Sequence, residues 1–327
     1  MTRLRIQTPS RLHFGLLGWG PESPRQFGGA GLMIDAPGLE FTATPSPSWH
    51  AEGPLAARTL HVARRVADRL ARRGLAASPA RFEMLHAPPE HAGLGVGTQL
   101  SLAVTRVLSA MAGVEPISIA DLADLSERGL RSGIGLHGFV HGGLIVDGGR
   151  RTSRGIPPLL VRQDFPPDWG ILVVIPGPFL GLHGPAEIQA FAQLSPLPRS
   201  LTDRLCHLVL LGLLPAVLEH DLISFGRAVS ELQEHVGNHF SPAQGGPFAR
   251  PAVESIVRYL EGEGLSGIGQ SSWGPAIYAF TDDPVERRVA FLQRLRRQFG
   301  LSAEAAFWTS ARPQGATLTR EPVIHSL

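Results

Sequence analysis

A glycine-rich stretch before a helix-like run is the strongest chemical signal in this sequence. Gly93, Gly95 and Gly97 alternate at the end of the stretch 88–99, just before an apolar run that begins at Leu100. A loop of this kind at a helix start presents unpaired backbone N–H groups and the positive end of the helix dipole, which together favour phosphate. Glycine lets the backbone approach such a ligand closely. The loop is neither a P-loop nor a dinucleotide-binding fingerprint, because Lys-Ser/Thr and G-x-G-x-x-G are both missing.

Two further pairs of residues could bind a phosphorylated ligand. Arg11 and His13 share one face of a predicted strand, because side chains two residues apart point to the same side. Arg131 and Ser132, in a second glycine-dense stretch, form a candidate phosphate clamp. The alternatives are a core histidine at 13 and a surface salt bridge at 131.

Carboxylates and small polar residues complete the candidate set. Asp35 and Asp147 could hold Mg²⁺ or ribose hydroxyls, although both also suit turns. His137 and His141 have a metal-binding spacing only on a helix, and the glycines around them argue against a helix. In the second half of the chain, a third glycine segment would face the ligand through Gln270, Ser271 and Ser272.

The composition limits the chemistry and the partners. The 327 residues include no lysine, so all 30 Lys+Arg residues are arginine, and lysine-based covalent catalysis is excluded. Arginine can still clamp phosphate through its bidentate fork. The net charge of +2 is too small to indicate nucleic acid. The single Cys206 excludes an internal disulfide, and the N-terminus has no signal-peptide core. We therefore expect a cytoplasmic protein that does not contact a membrane.

Hydrophobic periodicity predicts the elements that must position these residues. Ser118 is predicted to cap a helix, with Asp121 three residues later. A proline-rich segment near residue 160 indicates a boundary, giving one domain over 1–162 and another over 163–327. The predicted strands cover 4–17, 32–34, 81–85, 143–146, 170–176, 276–280 and 303–309, and the predicted helices cover 55–73, 100–108, 222–236, 251–261 and 285–299.

The three glycine segments, in this order, resemble the GHMP kinase superfamily. Its Pro-x-x-x-Gly-Leu-Gly-Ser-Ser motif is matched over 89–97, and its C-terminal glycine motif over 267–274. The resemblance implies an α+β, GHMP kinase-like two-domain fold, with a ribosomal S5 domain 2-like N-terminal domain and a ferredoxin-like C-terminal domain. Kinase chemistry is a poor match, because Val96 and Gly97 replace the motif serines and Gly135 stands where a catalytic aspartate is expected.

The chain is more similar to a non-kinase branch, the β-ribofuranosylaminobenzene 5′-phosphate synthase family. The Gly-Thr-Gln ending of the loop at 97–99 and the Gln-Ser-Ser-Trp-Gly string at 270–274 are its more specific matches. Val96 departs from the family, whose members more often have serine there. The segments that carry the resemblance, which extends over nearly the whole chain, are 11–17, 27–35, 93–99, 131–149 and 269–275.

This resemblance implies a pentosyltransferase that condenses 4-aminobenzoate with phosphoribosyl pyrophosphate and releases CO₂ and pyrophosphate, in methanopterin-type cofactor biosynthesis. The reaction needs a pyrophosphate cradle, a 5′-phosphate clamp and usually Mg²⁺; a homodimer is expected from the family. The identity of the aryl acceptor and of the metal ligands stays open. The catalytic candidates are His13, Asp35, Arg131 and Asp147, and the binding candidates are Arg11, Gly93, Leu94, Gly95, Val96, Gly97, Thr98, Gln99, Ser132, Gln270, Ser271 and Ser272.

Two other functions remain open at this point. One is a GHMP-type small-molecule kinase that uses ATP through displaced catalytic residues. The other is a non-catalytic protein that binds a phosphorylated ligand and has kept only the loop. Gly135, together with Gly-Thr-Gln in place of the kinases' Ser-Ala-Ala, favours the synthase over the kinase.

Overall fold

Two β-sheets organise the chain in the computed structural model, which describes residues 2–129, 131–151, 155–177, 194–246, 248 and 251–322. The extended structure predicted for the N-terminus is confirmed as one long strand. The strands are β1 (Thr2–Gly18), β2 (Phe27–Pro45), β3 (His50–Glu52), β4 (Ala80–His86), β5 (Leu144–Asp147), β6 (Leu159–Gln163), β7 (Gly170–Val174), β8 (Ser266–Gln270), β9 (Ile277–Thr281), β10 (Ala306–Thr309) and β11 (Thr317–Pro322).

Helices connect the strands and pack on the sheets. The predicted cap at Ser118 is confirmed, because its hydroxyl accepts the Asp121 N–H at 3.0 Å. The helices are α1 (Ala56–Arg72), α2 (Val96–Met111), α3 (Ile119–Ser126), α4 (Ile134–His141), α5 (Arg199–His207), a π-helical turn (Leu208–Leu213), α6 (Leu214–Leu218), α7 (Leu222–Gln244), α8 (Pro251–Gly262) and α9 (Val285–Phe299).

The larger sheet has seven strands and carries the first half of the candidate site. Its order is β11-β1-β2-β4-β3, with β5 paired to β2 and β6 paired to β5. The antiparallel register places His13 opposite Gly31 on β2, and Gly29, two residues before Gly31, opposite Asp147 on β5. The histidine and the carboxylate therefore approach each other across one strand. The smaller sheet is antiparallel, in the order β10-β7-β9-β8.

The larger sheet also takes a strand from the C-terminal end of the chain. β11 pairs antiparallel with β1, so that Thr2 lies opposite Pro322 and Gln7 opposite Thr317. A division into 1–162 and 163–327 leaves this strand out of the sheet that it completes. The period-two pattern of a strand indicates which face is buried but not which strand lies beside it, so this pairing has no local signal in the sequence.

Three of the described helices differ from the prediction. α7 continues to Gln244, beyond the predicted end at 236. α2 begins at Val96 rather than Leu100, so half of the glycine loop forms its first turn. α4 occupies the glycine-dense stretch in which no helix was predicted. A Cβ on Gly138 would lie 2.6 Å from the Cγ atom of Met33, so glycine there permits α4 to pack closely on β2. Glycine in α4 allows close packing of the helix on the sheet. Helix propensity, which depends only on the local sequence, counts glycine against a helix.

One of the described helical runs has the length and apolar character of a membrane span. It covers Arg199–Leu218, has a mean hydropathy of 1.6, and is 39% buried. A single run of this kind is a weak indication, because core helices of water-soluble proteins have the same composition. Leu210, Leu211 and Leu218 on this run are each more than 60% exposed.

Candidate active site

The structure brings the glycine loop, β1 and the start of α4 together in one place. The Arg11 N–H donates to the Leu94 carbonyl at 3.0 Å, and the Gln99 amide donates to the Gly135 carbonyl at 3.0 Å. A Cβ on Gly135 would lie 3.0 Å from the Cγ2 atom of Thr98. Three segments that are far apart in the sequence therefore form one site around the first turn of α2.

The loop presents a specific pair of backbone donors. Gly95 has φ +76 and caps α2 in a left-handed conformation that favours glycine. The N–H groups of Thr98 and Gln99 donate to the Gly95 carbonyl at 3.0 Å each. Among the described residues, the first-turn donors left for an anion are those of Val96 and Gly97. The Val96 side chain is 4% exposed and lies in the core, so the departure from serine changes a buried group and leaves the backbone donor in place.

Two arginines flank the loop. A Cβ on Gly95 would lie 3.2 Å from the Nε atom of Arg11, and a Cβ on Gly97 would lie 3.2 Å from the Cζ atom of Arg58. Arg58 comes from α1 and is ion-paired with Glu90. Arg58 is not predicted from the sequence, because only the packing of α1 beside α2 places it over the loop.

Asp147, at the end of β5, gathers three hydrogen bonds. Its Oδ1 accepts the Gly149 N–H at 2.9 Å, and its Oδ2 accepts the Gly133 N–H at 2.8 Å and the Ser132 hydroxyl at 3.2 Å. The residue is fully buried. Burial raises the pKa of its carboxyl from 3.8 to about 6, and the backbone hydrogen bonds to Gly149 and Gly133 limit the rise.

His13 lies beside this carboxylate and is almost fully buried. Its ring atom Nε2 is 3.2 Å from the Ser132 hydroxyl. Its backbone N–H donates to the Ser271 hydroxyl at 3.0 Å. Burial, assisted by the positive charge of Arg11, holds the pKa of the imidazole well below its usual value. The ring is therefore neutral near pH 7, and Ser132 connects it to Asp147.

The three polar residues predicted in the second half of the chain have different environments. The Ser271 hydroxyl donates to the Gly93 carbonyl at 2.8 Å, so it joins the glycine loop to β1. Gln270 is buried; its N–H donates to Oε1 of Gln233 at 2.9 Å and its side-chain amide donates to the Ser272 carbonyl at 3.2 Å. Ser272 is exposed and has φ +57.

Arg131 lies near a second cation. Burial lowers the pKa of Arg150, and the positive charge of Arg131 lowers it further. The guanidinium of Arg150 also lies 5.1 Å from the centre of the Phe27 ring. Arg131 precedes Ser132 and Arg150 follows Asp147 by three residues, so both arginines lie on segments that the Ser132–Asp147 hydrogen bond joins, an arrangement that suits a doubly charged phosphate.

Asp35 is not brought to this site by the contacts of the described residues. Its carboxylate forms an ion pair with Arg312 at 3.0 Å, and its N–H donates to the Ser310 carbonyl. The side chain is 56% exposed. On β2, Asp35 follows Gly31, the residue opposite His13, by four positions. The strand therefore places Asp35 away from the glycine loop.

The described residues do not fit a magnesium ion held by the protein. Within those ranges, no three His, Cys, Asp or Glu side chains are grouped to hold a metal. The Asp147 oxygens accept backbone and hydroxyl donors, and Asp35 is paired elsewhere. His137 and His141 do share a helix, contrary to the sequence prediction, with ring centres 6.4 Å apart. They have no third ligand among the described residues.

Comparison with known proteins identifies the class first. Residues 60–143 match the GHMP kinases N terminal domain family, and residues 213–299 match the GHMP kinases C terminal family. Homoserine kinase from Cytophaga hutchinsonii has a similar structure, with a TM-score of 0.68, 17% identity and 97% of each chain covered. The α+β GHMP kinase-like fold predicted from the glycine segments is confirmed.

Closer relatives identify the family within this class. The chain is 34% identical to β-ribofuranosylphenol 5′-phosphate synthase from Methanothermobacter thermautotrophicus, over 86% of this chain and 89% of that one. It is 35% identical to the protein of the same name from Archaeoglobus fulgidus, over 85% and 88%. The chain belongs to the β-ribofuranosylphenol 5′-phosphate synthase family. The resemblance to the non-kinase branch is therefore confirmed.

Proposed function

We propose that this chain is a pentosyltransferase that joins the ribose 5-phosphate unit of phosphoribosyl pyrophosphate to a 4-substituted benzoate, with loss of CO₂ and pyrophosphate. The product would enter methanopterin-type cofactor biosynthesis. One observation carries the proposal: the glycine loop at the start of α2, two flanking arginines and a buried His13–Ser132–Asp147 cluster meet at one site. The relatives named β-ribofuranosylphenol 5′-phosphate synthase, which are 34–35% identical over most of the chain, support it.

The pyrophosphate and the 5′-phosphate are assigned to different groups. The N–H groups of Val96 and Gly97, with Arg11 and Arg58 on either side, suit the leaving pyrophosphate. Arg131, beside Arg150, suits the 5′-phosphate. Since the described residues offer no magnesium cage, we propose that Mg²⁺ enters as a complex with the pyrophosphate of the substrate.

The aryl acceptor is the second part of the proposal. The resemblance seen in the sequence implied 4-aminobenzoate and an aniline product, whereas the relatives are named for a phenol product. In both cases a para substituent pushes electrons to the ring carbon that bears the carboxylate. That carbon attacks C1 of the ribose, and loss of CO₂ restores the aromatic ring. We propose 4-hydroxybenzoate as the preferred acceptor and 4-aminobenzoate as the alternative.

A carboxyl-labelling experiment tests the proposal. The protein is incubated with phosphoribosyl pyrophosphate, Mg²⁺ and either carboxyl-labelled 4-hydroxybenzoate or carboxyl-labelled 4-aminobenzoate. We expect labelled CO₂ and a C-riboside by mass spectrometry, with the higher kcat/KM for the hydroxybenzoate. ATP consumption with a small alcohol, and no CO₂ from either acid, would indicate a kinase instead. Binding of phosphoribosyl pyrophosphate without any turnover would indicate a non-catalytic protein.

Replacing Arg58 with glutamine should weaken pyrophosphate binding. A hydrogen bond to a charged group contributes about 1.5–3 kcal/mol, so Kd should rise about ten- to a hundredfold. Calorimetry with inorganic pyrophosphate at two salt concentrations measures this. Arg64→Gln, an exposed arginine on the same helix, is the matched control and should bind like the wild type. If the two variants have the same Kd, Arg58 does not contact the pyrophosphate.

A further inference from the structure

A continuous line of polar atoms runs from β1 to β5 through the start of α4. The Nε2 atom of His13 is 3.2 Å from Oγ of Ser132, and this Oγ is 3.2 Å from Oδ2 of Asp147. His13 is 5% exposed and Asp147 is fully buried. Ser132 and Asp147 alone satisfy N–H groups at the start of α4. Helix capping therefore does not explain why a buried histidine completes the line.

The donor and acceptors of the Ser132 hydroxyl determine the direction of each hydrogen bond in this line. The Ser132 hydroxyl has one proton and two lone pairs. The proton is donated to Asp147, and one lone pair accepts the Ile134 N–H at 3.2 Å. The other lone pair accepts from His13, so Nε2 carries the ring proton and Nδ1 keeps the ring's basic lone pair. Since burial keeps the ring neutral, His13 has one nitrogen ready to accept a proton.

We propose that His13, Ser132 and Asp147 form a proton relay that removes the hydroxyl proton of a phenolic acceptor and later returns it. Nδ1 of His13 takes the proton from the substrate. Nε2 passes its own proton to Oγ of Ser132, and Ser132 passes its proton to Oδ2 of Asp147. The inference rests on the proposed function and names the proton chemistry of the same site.

The charge state of Asp147 suits the end of such a relay. Burial raises the pKa of this carboxyl to about 6, so it is ionised near pH 7 and accepts a proton more readily than an ordinary aspartate. The charged group that affects His13 is Arg11, which disfavours a lasting positive charge on the ring. The proton therefore passes through the imidazole to the carboxylate.

The step balances without an added reagent. As the phenol loses its proton, an electron pair moves into the ring and the carbon bearing the carboxylate bonds to C1 of the ribose. The bond from C1 to pyrophosphate breaks, and a dienone forms. Its carboxylate leaves as CO₂, and the electrons of that bond restore the aromatic ring as a phenolate. The relay then runs in reverse and returns the proton to the phenolate oxygen.

Acceptor chemistry separates a relay from a structural role. An amino group donates its lone pair to the ring without losing a proton, so an aniline acceptor does not need the relay. Ser132→Ala breaks the line and leaves both His13 and Asp147. We expect its kcat with 4-hydroxybenzoate to fall about a hundredfold, which is within the usual contribution of general acid–base catalysis. We expect KM to change little, and kcat with 4-aminobenzoate to stay close to the wild-type value.

Fluorinated acceptors and a conservative variant extend the test. Ring fluorines make the phenol more acidic, so 3-fluoro- and 3,5-difluoro-4-hydroxybenzoate should recover an increasing share of the kcat lost in Ser132→Ala. Ser132→Thr keeps the hydroxyl and should restore turnover of 4-hydroxybenzoate. Ser118→Ala removes the equivalent cap of α3 and should leave kcat unchanged. Circular dichroism checks that each variant is folded.

The outcomes distinguish this inference from the proposed function. If the wild type forms no C-riboside from any acceptor, the proposed function is wrong and the relay with it. If the wild type is active but Ser132→Ala has normal kcat, the relay alone is wrong. An equal loss of kcat for phenol and aniline acceptors, with no recovery on fluorination, also overturns the relay and leaves Ser132 a structural role. Where only phenols are substrates, the fluorinated series decides.

Discussion

Asp147→Asn should give a protein that is less stable and turns over 4-hydroxybenzoate at least about a hundredfold more slowly than the wild type. Asparagine keeps the shape of the side chain but replaces one acceptor oxygen with an NH₂ group. That group would face the N–H of Gly133 or Gly149, both of which now donate to the carboxylate. An unsatisfied buried donor costs about 1–3 kcal/mol. The variant also has no carboxylate to receive a proton from Ser132.

The loss of stability in this variant should depend on pH. Because the pKa of Asp147 is raised from 3.8 to about 6, the native state binds this proton more tightly than the unfolded state does. The contribution of Asp147 to the free energy of unfolding is therefore largest below pH 4. It falls by about 3 kcal/mol in all as the pH rises from 4 through 6, and it is constant once the pH is well above 6. Urea unfolding of both proteins from pH 4 to 7 should show the largest difference at pH 4.

A second aspartate supplies the control for this experiment. Asp221 caps α7 by accepting the Ser224 N–H at 3.0 Å, and the residue is half-buried. Asp221→Asn removes the same charge from another helix start but keeps a good capping residue, so its free energy of unfolding and its kcat should stay close to the wild-type values. If Asp147→Asn also has normal kcat with 4-hydroxybenzoate, Asp147 takes no part in the chemistry.

The elements that the sequence predicted well are those whose pattern is local. Helix α1 was predicted over 55–73 and is found at Ala56–Arg72, and α9 was predicted at its observed bounds. Their apolar spacing reports the buried face directly. α4 and β11 were missed for a different reason. The glycines of α4 suit its close packing against Met33, and β11 forms by pairing with β1. Neither of these contacts has a signature in the local sequence.

The candidate site shows the same division. The glycine loop, Arg11 and Ser132 were identified by residue type and spacing, and the structure places them together. Arg58 was not identified, because its place over Gly97 depends on helix packing. The hydrogen bonds of Ser271 to both the loop and β1 were equally unreadable. The spacing of residues in the sequence can indicate which side chains do chemistry. The partners of those side chains depend on contacts between segments that are distant in the sequence.

Gly274→Ala should lower both the melting temperature and the activity, although the residue binds no substrate in the proposed mechanism. Gly274 lies in the turn between β8 and β9, against the backbone just before the glycine loop. A Cβ there would overlap the carbonyl oxygen of Ala92 and the nitrogen of Gly93. These neighbours are backbone atoms, so no flexible side chain can move aside.

The clash should separate the turn from the loop. Two hydrogen bonds now join them, from the Ala276 N–H to the Ala92 carbonyl at 3.0 Å and from the Ser271 hydroxyl to the Gly93 carbonyl at 2.8 Å. Overpacking costs about 1–3 kcal/mol, and each lost hydrogen bond adds about 1 kcal/mol. The melting temperature should therefore fall by about 5–15 °C.

Pyrophosphate binding is the measurement that connects this turn to the site. Because the loop amides must hold one geometry to bind an anion, a displaced loop should raise the Kd for inorganic pyrophosphate at least about tenfold, even at a temperature where the variant is folded. Gly262→Ala is the matched control, since a Cβ at that end of α8 meets no atom within 4 Å, and alanine there should be neutral or stabilising. A folded Gly274→Ala protein that binds pyrophosphate like the wild type would show that the loop keeps its shape without these contacts to the smaller sheet.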